Sequence, residues 1–194
     1  MNRIVAIAVL VVGLLLLIAG VMKILPGAAG GGGGLAFLGI VMLGLSFVRR
    51  DVAGTDDQPP MSETEKITSI FYEPARVFQE LRARPYWGTA FLILALSVAV
   101  YQFAYTQRIG ADTIAGATID KTVEGGFIPA ERAVEMRERA MADARQPFAT
   151  ASGAINGIVV VFIMMAILAG LYMLGVLVSG ARIKFWQAFS VAVY

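Results

Sequence analysis

The sequence predicts an all-α fold: a polytopic transmembrane helical bundle with a short amphipathic surface helix and a polar extracytoplasmic helical loop. Three observations carry this. Of 194 residues, 58% are apolar and only 15% charged, against roughly half and a quarter in an ordinary soluble domain. The apolar residues are gathered into long uncharged runs, which is how a bilayer core of about 30 Å uses them. Between the runs lie polar, glycine-rich and proline-marked stretches that suit turns and surface segments.

The first uncharged run, Ile4 to Met22, has 19 residues, just enough to cross at about 1.5 Å per residue. A secretory signal peptide is the competing reading, with Arg3 as its charged region and Gly27-Ala28-Ala29 as its cleavage site. Such peptides carry apolar runs of only about 7–15 residues, so a retained helix is expected. Pro26-Gly27-Ala28-Ala29 and the run Gly30 to Gly34 follow. Glycine disfavours helix by about 1 kcal/mol relative to alanine, and a flexible hairpin turn is expected here. A phosphate-cradling loop would need a Lys-Ser/Thr ending or a strand–turn–helix context, and neither is present. Leu35 to Val48 is short, spans only by borrowing glycines from the turn, and is stopped by Arg49-Arg50. Residues 1–50 thus read as a two-helix transmembrane hairpin.

Residues 51–61, acidic and closed by Pro59-Pro60, read as a linker. Ser62 followed by Glu65 is a capping-box pattern and predicts a helix start. Pro74 suits the first position of a second short helix, with Val77, Phe78 and Leu81 on one face and Arg76, Glu80, Arg82 and Arg84 at its polar positions. A helix lying at the membrane surface and a helix packed beneath a partner domain both give this pattern. Pro85-Tyr86-Trp87 opens the third span, which runs to Tyr105; tyrosine and tryptophan at its two ends match an aromatic belt. From Arg108 to Thr150 the chain is polar, with six basic and seven acidic residues. Pro129 starts an expected helix through Arg145, and its mixed charges read as a solvated face. The fourth span lies within Ala154 to Ser179. Gly153 and Gly157, four apart, and Gly170, Gly175 and Gly180 suggest close helix approach. Phe185 to Tyr194 begins another apolar run too short to cross, so the chain is expected to be C-terminally incomplete.

Charge and composition exclude several functions. With no cysteine and no histidine, disulfides, thiolate nucleophiles and cysteine-ligated metals are out, as are the commonest metal ligand and general base. A formal charge of +2 and no basic stripe interleaved with aromatics give no reason to expect nucleic acid. The spans hold no charged residue; their polar content is Ser46, Thr89, Ser97, Gln102, Asn156, Tyr172 and Ser179. Gln102 and Asn156 can hydrogen-bond between helices, a structural role expected ahead of a substrate site. Paired carboxylates, Asp56-Asp57 and Glu63/Glu65, sit in polar stretches, and Ser62 and Ser152 have no base partner. No catalytic, cofactor-binding or metal-ligating residue is expected, and no cofactor.

Orientation follows from charge beside span ends. With the N-terminus inside, Arg49, Arg50, Arg82, Arg84, Arg182 and Lys184 all flank spans on the inner side, while the outer charges lie mostly mid-loop among carboxylates. The expectation is a cytoplasmic N-terminus with the 107–152 loop outside.

The stretch Ile67-Thr-Ser-Ile-Phe-Tyr-Glu-Pro74-Ala-Arg-Val-Phe78, then Pro85-Tyr86-Trp87 and an uncharged span, resembles the opening of the Yip (Ypt-interacting protein) family of multi-spanning proteins. That family opens with a short Pro-x-x-x-Phe surface helix and a Pro-x-Trp start to its first span. Gly180-Ala-Arg-Ile-Lys-Phe185-Trp-Gln-Ala188-Phe-Ser-Val-Ala-Val-Tyr194 is similar to its turn into the third span. The resemblance covers residues 62–194 and implies a Yip-like membrane domain, with the 1–50 hairpin additional to it. Eukaryotic relatives associate with small GTPases, but their Asp-Leu-Tyr-Gly-Pro signature is missing here, so GTPase binding is not implied. Taken together, the expectation is a non-enzymatic protein of a bacterial inner (cytoplasmic) membrane, a scaffold or accessory subunit whose partners are the lipid bilayer and other membrane proteins or itself. The alternative is a component of a transporter or channel whose functional residues lie in further C-terminal helices.

Overall fold

The computed structural model describes residues 3–47 and 60–194. Arg49-Arg50 and the predicted linker, apart from Pro60 and Met61, lie outside them. Nine α-helices and no strand occur among the described residues: α1 (Arg3–Val21), α2 (Ala28–Leu45), α3 (Glu63–Ser69), α4 (Pro74–Ala83), α5 (Gly88–Ile109), α6 (Ala111–Glu124), α7 (Ala130–Ala144), α8 (Ala149–Val178) and α9 (Phe185–Val193). Four of them, α1, α2, α5 and α8, are long and apolar enough to cross a membrane. The described residues gather into two compact units, one of 3–47 with Val98–Val159 and one of 60–97 with Val160–Tyr194.

In the first unit the expected turn is displaced. The chain reverses over Met22–Gly27, where Lys23 (φ 59°) and Gly27 (φ 88°) take left-handed backbone conformations, and Gly30 to Gly34 are helical. The physical reason lies in the packing of α2 on α1. Gly20 faces Ala29, Leu17 faces Gly32, Gly13 faces Ala36, and Leu10 faces Gly39. On each helix these positions alternate three and four apart, the seam of a 3.5-residue repeat. A Cβ at Gly39 would lie 2.6 Å from both the amide nitrogen and the Cα of Leu10, so the backbones approach as only small residues allow. The weak helix propensity of glycine is offset by this contact. At the open end of the hairpin the Arg3 guanidinium sits 4.8 Å over the Phe47 ring.

The polar stretch holds two helices rather than the one expected. α7 matches the helix predicted after Pro129. α6 is additional, and is fastened to the α7 segment by Arg137–Asp120 at 3.3 Å and Arg145–Asp112 at 3.2 Å. α8 starts five residues earlier than the predicted fourth span. Its start is tied to the α1–α2 reversal: the Phe148 N–H donates to the Pro26 carbonyl at 3.3 Å, and the Ser152 hydroxyl donates to the Gly27 carbonyl.

In the second unit the predicted capping box is present, with the Glu65 N–H donating to Ser62 Oγ at 3.2 Å and the Ser62 N–H to Glu65 Oε2 at 3.4 Å. Pro74 opens α4. Met61, Val77 and Leu81 form a small core with Ile70 and Tyr194 against it.

Candidate functional site

The amphipathic α4 supplies the frame of the site. Val77 and Leu81 are fully buried, on the side where α9 packs. Phe78, expected on the same face, is exposed, as are Phe71 and Tyr72 at the α3–α4 corner. Val77 and Leu81 are therefore covered by the chain itself, while Phe78 on α4 and Phe71 and Tyr72 at the corner before it stay exposed.

Gln187, buried near the start of α9, joins these elements. Its side-chain amide donates to the Arg82 carbonyl at the end of α4, and its Oε1 accepts from the Lys184 N–H at 2.9 Å. Both ends of one side chain are used, so the last turn of α4 and the α8–α9 turn are fixed together across a long stretch of sequence. Behind this clamp lies an aromatic cluster. Trp87 and Trp186 stack with ring centroids 6.0 Å apart and planes 5° from parallel, while Phe189 meets Trp87 edge-on at 5.1 Å. Phe162 packs against Trp87 at 6.1 Å and Phe91 at 5.6 Å. The Trp87 indole N–H is buried without an acceptor among the described residues, an arrangement that costs about 1–3 kcal/mol.

In front of the clamp is a groove of about 430 Å³ lined by Arg82, Leu177, Arg182, Ile183, Lys184 and Gln187. Three cationic side chains border it, together with two aliphatic ones. Charges nearby are neutralised: Lys66 pairs with Glu63 at 2.9 Å, Arg76 with Glu65 at 3.2 Å, and Arg84 with Glu80 at 3.3 Å. Arg82 and Arg182 make no ion pair among the described residues. The groove can hold an anion with an apolar tail; it brings together no base, nucleophile or carboxylate pair that would do bond chemistry.

The first unit has a larger hollow of about 740 Å³ beside the α1–α2 reversal, with Lys23, Asp143, Gln146, Ser152 and Asn156 among its polar lining. Three of these polar groups are already engaged. Ser152 donates to Gly27, and the Gln146 amide donates to Asp143 Oδ1 at 2.9 Å. Asn156 lies against the α2 backbone, where a Cβ at Gly34 would overlap its amide. Gln102 borders a separate small hollow with Thr106 and Thr150. Of the glycines expected to allow close approach, Gly157 would bring a Cβ within 3.5 Å of Val98, whereas Gly153, Gly170, Gly175 and Gly180 have nothing within 4 Å. Close approach occurs instead in the α1–α2 seam.

Of the paired carboxylates, Glu63 and Glu65 are spent on Lys66 and Arg76, and Asp56-Asp57 fall outside the described residues. No group of three His, Cys, Asp or Glu is gathered where it could hold a metal ion among the described residues. Asp112 is held below its ordinary value of 3.8, first by its hydrogen bond from Arg145 and then by the Thr113 N–H. The convergence of Arg82 with Arg182 and Lys184 was not foreseen from sequence; the signal available was Lys184 followed three residues later by Gln187. Comparison of the chain with protein-family models, curated proteins and solved structures gives no match.

Proposed function

We propose that this chain is a multi-pass membrane protein without catalytic activity, a scaffold or accessory subunit acting through helix–helix contacts. One observation carries it: three of the four long apolar helices, α1, α5 and α8, leave most of their large side chains uncovered by the rest of the chain. Leu15 is 62% exposed, Leu96 64%, and Leu174 60%, a distribution that suits hydrocarbon and partner helices and would be unstable in water.

Alternation of the spans is supported by the contacts at their ends. The α1–α2 reversal is hydrogen-bonded to the α7–α8 joint, and the end of α4 to the start of α9, so segments assigned to one side of the bilayer meet one another. With basic residues favouring the cytoplasm, the reading is N-terminus in, in a bacterial inner membrane. The segment from residue 62 is read as Yip-like on the two proline-aromatic motifs quoted above. Transporter membership is the second reading, favoured only by the polar hollow beside Lys23 and Asn156.

The test is isolation of the chain from membranes in mild detergent, with in-membrane cross-linking. A defined partner or a homo-oligomer is expected. A strictly solitary monomer would overturn the scaffold reading, and recovery in the soluble fraction without detergent would overturn the membrane reading.

A further inference from the structure

The geometry points to a binding site for the phosphate of an anionic phospholipid in the groove between the end of α4 and the α8–α9 turn. This rests on the membrane reading above, because it needs α8 to lie in a bilayer. The groove stands where the 30-residue apolar helix α8 gives way to polar chain, which is the depth of a lipid headgroup. Arg82 comes from one side, Arg182 and Lys184 from the other, and the buried Gln187 amide holds both backbones in place. The Arg82 and Arg182 guanidinium groups, outside any ion pair among the described residues, present forked donors suited to phosphate oxygens. Leu177, in the last turn of α8, and Ile183 supply an apolar side along which an acyl chain can descend. A free phosphate would satisfy the charges but leave that apolar side uncovered; a phosphatidylglycerol satisfies both.

The full chain in a neutral detergent, stripped of lipid, is titrated with dioctanoyl phosphatidylglycerol, dioctanoyl phosphatidylcholine and inorganic phosphate. Retained molecules are counted by native mass spectrometry. The expected result is one phosphatidylglycerol per chain, bound at least about tenfold more tightly than phosphatidylcholine. The doubly substituted chain R82Q/R182Q should bind it about 30-fold more weakly, from two basic residues near an anionic headgroup, and R82K/R182K, which keeps both charges but loses the forks, should fall between the two. Circular dichroism checks that both variants stay helical. If R82Q/R182Q does not fold, the unsubstituted chain still decides. Its preference for phosphatidylglycerol must weaken between about 50 mM and about 500 mM salt, as screening of exposed charge requires. Equal binding of both lipids, a salt-independent preference, or displacement by equimolar inorganic phosphate would each overturn the proposal. A chain that needs detergent yet shows no lipid preference refutes this site alone; a chain soluble without detergent refutes the membrane reading beneath it.

Discussion

Replacing Gly39 by alanine should open the α1–α2 seam, and the size of the effect can be worked from the backbone. The added Cβ would stand 2.6 Å from both the nitrogen and the Cα of Leu10, atoms that cannot rotate away. Carbon atoms pack at about 3.5–4.0 Å, so the helices must part by about 1 Å locally. A gap of that size forfeits about a quarter to a half of each neighbouring dispersion contact, and overpacking of this kind costs about 1–3 kcal/mol. Against this, alanine gains about 0.8–1.0 kcal/mol of helix propensity over glycine. With backbone rather than side chain in the way, the upper part of the overpacking range applies, leaving a net loss of about 2 kcal/mol.

Gly44, in the same helix, is the control, since nothing lies within 4 Å of its added Cβ. Its replacement by alanine should stabilise by up to about 1 kcal/mol. The chain has no native cysteine, so a fluorophore pair can be placed cleanly at cysteines substituted for Arg3 and Phe47, which meet at the open end of the hairpin. Titration from mild detergent into dodecyl sulfate then follows separation of the two helices. If Gly39→Ala and Gly44→Ala shift the midpoint equally, the seam is not held by backbone approach and the account of α2 fails.

Gln187→Leu should remove about 1–3 kcal/mol from the second unit by stranding the buried Arg82 carbonyl, read by the same titration through the two native tryptophans; an unchanged midpoint would deny the clamp. Phe162→Ala should cost about 3–5 kcal/mol as a buried aromatic truncation, whereas Phe71→Ala, at an 81% exposed position, should leave stability within about 0.5 kcal/mol. For the α6–α7 segment the pH dependence has a definite sign. Asp112 has its folded pKa below 3.8, so its contribution is present above that value and is lost as pH falls through the folded one. Protection of the α6 amides, taken relative to their intrinsic exchange rates, should fall below pH 3.8, Asp112→Asn should remove that dependence, and a neutral-pH onset would refute the assignment.

How far the sequence reveals this fold depends on whether the signal is local. Ser62 with Glu65, and Pro74 at a helix start, are decided within one turn by hydrogen-bond geometry and ring constraint, and both appear where expected. The uncharged runs of α1, α5 and α8 are equally local, because length and polarity alone set them. The glycine run misled for the opposite reason. Judged by propensity, Gly30 to Gly34 is a turn; judged by a partner, Gly32 and Gly39 are seven residues apart and interleave with Gly13 and Gly20, also seven apart, along an antiparallel seam. That pattern stands in the sequence, but it has meaning only once two helices are compared rather than one.

The basic groove lies a step beyond this. Nothing in the neighbourhood of Arg82 indicates that it will meet Arg182, and the residue that makes them meet, Gln187, is an uncharged amide in an apolar run. Its role follows from a rule that no local pattern contains: a helix ending against another element leaves a carbonyl that must find a donor. Here the Arg82 carbonyl finds the Gln187 amide, and the Lys184 N–H finds its oxygen. Two backbone demands met by one side chain determine where three positive charges stand. A substitution that keeps every charge but removes this amide should therefore disperse the groove as surely as one that removes the charges.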